Sequence, residues 1–504
     1  MILCIRFIHQ LKSITLKQTF LILFFVFNFL SCKETIENDS KSAILDPAIA
    51  HRENVVNNLK PFYYIKNQMQ PQRVEDLMEQ YKVPGLRIVF VDKGEISWSK
   101  SYGYANLKDS IKVDKNTVFT GASLGKPVTA MAALKLVEQG ILNLDEDVNK
   151  KLKGWKVPVN EFTQKEKVTV RRLIGHTSGF NRYYGPNYMP YETLPTIEQT
   201  LKGEQPSKHP AAKLVAVPGS KYIYSNPGYL VLEKLLEDAT NKKFEDVIDE
   251  LVLKPSGMKT TSFIQPIPER LLATKATGYS ANLQPQPYNI ITFKAAGGIW
   301  TTPDDLARFT HKLLTDHSKG TNTLISKEMT NRVFNRDGNL DKLGFTLLNW
   351  KQDSDDIVFK HTGQNYGFTS VIFGSVKKEQ AVVIMANSVN TEDLFNYIQR
   401  AVAEEYNWDY FKPSAYEIYD TADKDFSSYA GQYDWKNHFV VITNEYKKLF
   451  IQIDNERHQL IPVEENTFLA TNISLLVIFP KKPGSSLVFL DKNGDYSRVN
   501  KTYK

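Results

Sequence analysis

Cysteine is almost missing from this chain. Cys4 and Cys32 are the only two in 504 residues, and both lie near the start. A cysteine nucleophile, a cysteine-based zinc site and a disulfide framework in the body are thereby excluded. No H-E-x-x-H pair occurs, and His209, His311 and His317 have no partners at metal-ligand spacing. Neither a metal nor another cofactor is expected. Dense Lys/Arg blocks are absent too. The formal charge is +7, and loss of a leader with three basic and no acidic residues would leave +4. That is too little, and too dispersed, to support nucleic-acid binding. There is no low-complexity tract and no repeat of solenoid length. What is present is an ordinary globular composition, 42% hydrophobic and 24% charged. Its length implies two or three domains, with cores large enough to need no staples.

The first 31 residues stand apart. Arg6, Lys12 and Lys17 precede an apolar run over 20–30, followed by Ser31 and Cys32. This is the layout of a cleavable leader. Only 15 uncharged residues separate Lys17 from Lys33, short of the ~20 a spanning helix needs. FNFLSC resembles a bacterial lipoprotein signal, with Phe29 where an aliphatic residue is usual. The resemblance implies acylation of Cys32, a membrane anchor, and a place in the cell envelope, on the periplasmic side or the outer surface. The following KETIENDSKS is polar and reads as a tether.

Further on, 85–103 reads as two strands around a turn at Asp92-Lys93-Gly94. Helical patterns occupy 124–139, 228–242 and 301–314, the last opened by Thr, Pro and two Asp, and 168–180 reads as a short helix ending at a glycine turn. IVFKHT, FTSVIFGSV and QAVVIMANS are strand-like, the last two forming a hairpin around Lys377-Lys378, and a final helix covers about 391–406. Strands at both ends with helices between them suggest an α+β body: one antiparallel sheet with a helical insertion. From Phe426 short strands alternate with turn residues, as in a small all-β barrel or sandwich. The expected organisation is a leader (1–31), tether and lead-in (32–69), main body (70–406), linker (407–425) and β domain (426–504).

GASLGKPVTA, 121–130, supports three readings. As a phosphate loop it has one residue too few between its glycines, and Pro127 where Ser or Thr is required. As a G-x-S-x-G elbow it lacks context, because KVDKNTVFTGA is too polar for a buried parallel strand and no βαβ series surrounds it. As S-x-x-K it makes chemical sense. Ser123 at a helix N-terminus has Lys126 on the same face one turn later. The helix end favours a developing oxyanion, and with partial burial it depresses the lysine pKa, so that a neutral amine could take the serine proton. YSN (224–226) follows about 100 residues on, with Pro227 expected to hold Asn226 out of helical geometry. HTG (361–363) lies on a strand near the end of the same body.

These three motifs in this order resemble the serine β-lactamase and penicillin-binding protein superfamily, in its class C β-lactamase-like branch, which also holds esterases and D-amino-acid peptidases. VPGLRIVFVDKGE, VTVRRLIGHTSGF, VPGSKYIYSNPGYLVLEKLL and GGIWTTPDDLARF add to the likeness, which covers roughly 70–405. The resemblance implies a β-lactamase/transpeptidase-like fold. It implies Ser123 as acylated nucleophile and Lys126 as base or electrostatic partner. Tyr224 would be the proton shuttle, and Asn226 would hold Lys126 and the substrate amide. Ser123 and Gln364 would supply oxyanion N–H groups, with His361 and Gly363 at the substrate. Many relatives carry lysine at position 361, where it attracts a carboxylate. A histidine is mostly neutral at pH 7; it can still donate a hydrogen bond but attracts a carboxylate less. Ester, amide or D-amino-acid peptide substrates are therefore expected ahead of β-lactams, with peptidoglycan-type peptides among them. His176, at a helix end, reads as structural. The β domain resembles lipocalin-like modules of some relatives and would cap or border the site, or bind something else. An idle binding or sensing module is the rival of another class, although Ser123, Lys126 and Tyr224 all remain.

Overall fold

Lys93 and Gly94 both take positive φ (45° and 93°), the conformation that lets two residues reverse a strand. They join β2 (Gly85–Asp92) to β3 (Glu95–Asn106). The computed structural model describes residues 46–502 except 184, 336–342, 349–354, 422–423 and 481–485. The expected leader and Cys32 lie outside the described residues. From Ala48 onward the chain forms one compact unit.

The central sheet has seven strands in the order β4-β3-β2-β10-β9-β8-β7. The others are β4 (Ile111–Lys112), β7 (Thr346–Leu348), β8 (Val358–Asn365), β9 (Phe368–Ser375) and β10 (Gln380–Ala386). β10 runs antiparallel between β2 and β9, so both ends of the body share one sheet, as the strand pattern implies. Ala381, Val383 and Met385 of β10 enter one core, and Val382, Ile384 and Ala386 enter another on the opposite face. This is the period of two expected of a strand. Burial on both faces explains why β10 reads as an unbroken apolar run.

Helices Gly125–Glu138 and Pro303–Lys319 pack on the first face with the helical insertion. Thr302 Oγ1 caps the latter by accepting the Asp305 N–H. Asp304 in its first turn makes a two-pronged contact with Arg87 of β2, at 2.6 and 2.8 Å, and the Arg87 side chain is 8% exposed. Asp304→Ala strands this guanidinium. We expect a loss of about 3 kcal/mol, read as a lowered denaturant midpoint.

The second face carries helices Pro47–Asn57 and Glu392–Glu405. Within the stretch 407–425, expected as a linker, residues 408–416 are tied down instead. Trp408 is fully buried and donates Nε1–H to Gln380, and Ser414–Tyr416 (β11) pairs in parallel with Tyr63–Ile65 (β1). Its aromatic content serves packing. Beyond it, β12 to β19 (Gly431–Trp435 through Tyr496–Thr502) close an eight-stranded barrel. Its interior is filled by Val440, Ile442, Ile451, Phe468, Phe489 and other apolar side chains. The barrel joins the second face: Ser474 Oγ accepts the Tyr63 N–H at 2.8 Å, and Leu469 and Leu476 enter that core.

Candidate active site

β5 (Phe119–Ala122) pairs antiparallel with β6 (Ile299–Thr301) and is buried throughout. The approach to Ser123 is thus more apolar than its polar beginning suggests, but it is antiparallel and short, unlike a hydrolase elbow. Ala122 has φ +46°, a left-handed conformation that costs a non-glycine residue about 1 kcal/mol or more. The turn delivers Ser123 into a cavity of about 500 Å³. The helix Gly125–Glu138 starts immediately afterwards, and the Ser123 carbonyl accepts the Lys126 N–H at 3.0 Å.

Lys126 is completely buried. Its Nζ lies 3.1 Å from Ser123 Oγ and donates to the Ala296 carbonyl at 2.6 Å. The rings of Tyr224 and Tyr229 lie 4.8 and 5.5 Å from it. Burial drives its pKa well below the ordinary lysine value, so the amine loses its proton readily and presents a lone pair. Tyr224 bonds to Ser123, yet burial outweighs this and pushes its phenol up to about 12. Tyr224 therefore keeps its proton at neutral pH. Lys126 is the group beside Ser123 that can accept one.

His176 holds the tyrosine loop. Its Nδ1 accepts the Ser225 N–H at 3.1 Å, its carbonyl accepts the Ile223 N–H at 2.7 Å, and its ring lies 4.3 Å from that of Tyr224. Burial holds its pKa well below the ordinary value, so the neutral ring can accept. This agrees with a structural part. It also places His176 directly behind Tyr224.

Asn226 departs from expectation twice. It is the first residue of the helix Asn226–Thr240, and the extended residue is Ser225, whose hydroxyl caps the helix by accepting the Gly228 N–H. Pro227 sits in the first turn, where its missing N–H is harmless. Nor does Asn226 hold Lys126. Its Nδ2 donates to the Tyr183 carbonyl at 3.1 Å, and its Oδ1 is buried without a hydrogen-bond partner among the described residues. The carbonyl that holds Lys126 belongs to Ala296, 170 residues away, and no local pattern pointed to it.

β8 brings the third motif alongside. Gly363 is buried against β5, where a Cβ would stand 2.1 Å from the Gly121 carbonyl oxygen. Ser370 Oγ donates to that same carbonyl at 3.0 Å. Gly363 thus works as a contact between strands and does not line the cavity, whereas Gln364 does. His361 Nδ1 lies 2.9 Å from the Thr362 carbonyl, so the proton sits on Nδ1 and Nε2 is left as an acceptor. Burial, with the Lys126 charge second, lowers its pKa to about 3. The expected hydrogen-bond donor is therefore an acceptor in this arrangement.

The cavity wall combines Tyr183, Asn187, His209, Phe293, Asn365 and Tyr366 with Ser123, Asn226 and Gln364, and among the described lining residues none is Asp, Glu, Lys or Arg. Tyr183, Gly185, Asn187 and His209 come from the stretch 180–220; Phe293 and Ala296 come from a segment no motif marked, and Gly297 opens GGIWTTPDDLARF. Every described lining residue lies between Ala122 and Val389. None of the described barrel residues therefore borders the cavity, and their contacts with the main body lie on the other face of the sheet. His209 is buried, 3.1 Å from Tyr183 Oη, with its pKa lowered to about 4 by burial first and Lys208 second. A folded pKa below the unfolded value of about 6.5 gives stability present above that value and lost as pH falls toward 4. Thermal melts should show this loss, and His209→Phe should reduce its slope.

A beta-lactamase family match spans residues 71–407. The chain belongs to the beta-lactamase family. Its fold is that of beta-lactamases and transpeptidases, with an added closed barrel. Among relatives, Protein flp of Staphylococcus aureus (strain N315) is 26% identical over 63% of this chain, a stretch that covers 62% of that protein, under two thirds of its length. Penicillin-binding protein 4* of Bacillus subtilis (strain 168) is 24% identical over 80% of this chain and 92% of its own. Among solved structures, the octameric penicillin-binding protein homologue from Pyrococcus abyssi superposes with a TM-score of 0.57 at 22% identity, covering 85% of this chain and 99% of that one. A class C beta-lactamase mutant gives 0.55 at 19%, covering 70% and 97%. These likenesses establish the fold of this beta-lactamase family member, whose relatives include serine hydrolases and penicillin-binding proteins.

Proposed function

We propose that this protein is an acyl-enzyme serine hydrolase acting on esters, amides or D-amino-acid peptides. The observation that carries it is the buried, proton-poor Lys126 amine 3.1 Å from Ser123 Oγ. As Oγ attacks the substrate carbonyl, its proton passes to Lys126. The Ser123 and Gln364 N–H groups stabilise the oxyanion. Tyr224 donates its phenolic proton to the leaving group and is reprotonated from Lys126, so the net transfer runs from serine to leaving group. Water then attacks the acyl carbonyl by the reverse relay and regenerates Ser123. Asn226 lines the cavity that would hold the substrate, and His361 stands outside its lining on the strand that carries Gln364.

A neutral His361 with its Nδ1 proton engaged offers no charge to a carboxylate. The uncharged cavity lining supports the same preference for neutral substrates. β-Lactams and D-Ala carboxypeptidase substrates therefore rank behind. The exposed Arg182, whose charge acts on Tyr224, favours a second reading in which it recruits such a carboxylate. We further propose the lipid anchor at Cys32 and an envelope location, on the strength of the leader alone.

Intact mass and turnover test this with an activated ester and a penicillin, beside Ser123→Ala. Ester turnover by wild type alone is the expected result. A penicillin adduct that disappears with drug consumption would establish β-lactamase activity, and a persistent one D-peptidase kinship. Wild type inert to both would return the protein to the idle-module reading.

A further inference from the structure

Glu233 is a buried carboxylate that the proposed reaction does not use. It lies two turns into the helix Asn226–Thr240, beneath the end that carries Asn226, and is 1% exposed. Its Oε2 accepts the Ala295 N–H at 2.9 Å, and its Oε1 lies 3.6 Å from Lys294 Nζ. Lys294 also pairs with Glu245 at 2.9 Å. Both contacts end on the single-turn helix Lys294–Gly297. On the side of Ser123, the same turn receives Thr129 Oγ1 on the Ala295 carbonyl at 3.2 Å and Lys126 Nζ on the Ala296 carbonyl at 2.6 Å.

A neutral amine has two N–H bonds and one lone pair. When one N–H is committed to the Ala296 carbonyl, the direction left to the lone pair is set by where that carbonyl stands. A four-residue helix has little of its own to hold it in place. The Phe293 carbonyl accepts the Ala296 and Gly297 N–H groups, and the buried pair beneath the turn adds to that hold.

We propose that Glu233, with Lys294, is a positioning residue that fixes the Ala296 carbonyl and thereby aims the Lys126 lone pair at Ser123. The inference rests on the reading of Ser123 as nucleophile. Burial raises the Glu233 carboxyl to about 7 against the pull of Lys294, with Glu237 and Glu245 raising it further. Above that pH the carboxylate makes a charge-assisted bond to Ala295 and pairs with Lys294. Below it both weaken and the turn loosens.

The test is the rate at which a fluorophosphonate labels Ser123 in the full chain between pH 5.5 and 9. Labelling of wild type but not of Ser123→Ala is expected. The wild-type rate should fall with decreasing pH through a step near 7, in addition to any step belonging to Lys126. Glu233→Gln should label up to about 100-fold more slowly and lose that step. Lys294→Met removes the cation that lowers Glu233, so the step should move to higher pH. A purely packing role would slow labelling equally at every pH. Profiles that superimpose after scaling would overturn the inference and leave the nucleophile assignment intact; failure of wild type to label would overturn both. If thermal melts show that Glu233→Gln does not fold, the Lys294→Met profile decides, and an unmoved step there rejects the proposal.

Discussion

Replacing Lys126 by methionine should lower the rate of Ser123 acylation by an activated ester at least about 10³-fold, within the range for loss of a positioned base. The variant keeps the volume of a fully buried side chain and removes only the amine. Its stability should move in the opposite direction. Wild-type Lys126 has a folded pKa well below its ordinary value because burial disfavours the ammonium. The unfolded chain binds that proton at neutral pH and the folded chain binds it less, so folding opposes a protonation equilibrium. A depressed folded pKa gives stability that is present above the unfolded value and lost as pH falls. Wild type should therefore become more stable between pH 7 and 9 by an increment that Lys126→Met lacks. At pH 7 the methionine variant should have the higher denaturant midpoint, a gain of stability at the expense of activity. The cost on the other side is the Ala296 carbonyl, which loses its donor. Acylation within about 10-fold of wild type would remove Lys126 from the base role.

The second large effect is expected at Gly363. A methyl group there would stand 2.1 Å from the Gly121 carbonyl oxygen and 2.5 Å from Ser370 Oγ. The serine can turn away, but a backbone carbonyl cannot, so β8 and β5 must separate. β5 leads directly into Ser123, and Gln364 is the next residue of β8. The proposed oxyanion donors would part by about the distance the strands move. A displacement of about 1 Å costs on the order of 10²-fold in rate. Overpacking adds roughly 2 kcal/mol of destabilisation. Gly363→Ala should thus lower kcat far more than it raises KM, in a protein that still melts cooperatively. A rate within about threefold of wild type would show that the strands adjust and that the oxyanion donors lie elsewhere.

Some of this was legible because its causes are local. Ser123 and Lys126 meet because the turn that opens the helix Gly125–Glu138 brings residue i+3 back beside residue i, and Thr302, Pro303 and Asp304 mark a helix start by capping chemistry. The alternation of β2 and β10 side chains between the two cores follows from the pleat. The barrel was legible from short strands separated by turns. Asn226 was misread through a rule of correct local physics: proline disfavours helix before it, but the Ser225 cap draws the boundary one residue earlier. The 407–425 stretch was misread because an aromatic residue in a polar segment carries no sign of its partner. Trp408 finds Gln380 across the fold.

The sequence by itself determined the α+β body, the order of the three motifs and the pair Ser123 and Lys126, since these depend on neighbours within a turn or a strand. Only the tertiary structure decided what those groups face. The Ala296 carbonyl fixes Lys126 from 170 residues away. The Thr362 carbonyl fixes the His361 tautomer, segments from distant parts of the chain line the cavity, and the barrel packs on the face of the sheet away from Ser123. Apart from the His361–Thr362 contact, which joins neighbours, each is a contact between distant segments. Proton position, burial and pKa depend on the whole set of atoms around a group, so residue spacing alone could not supply them.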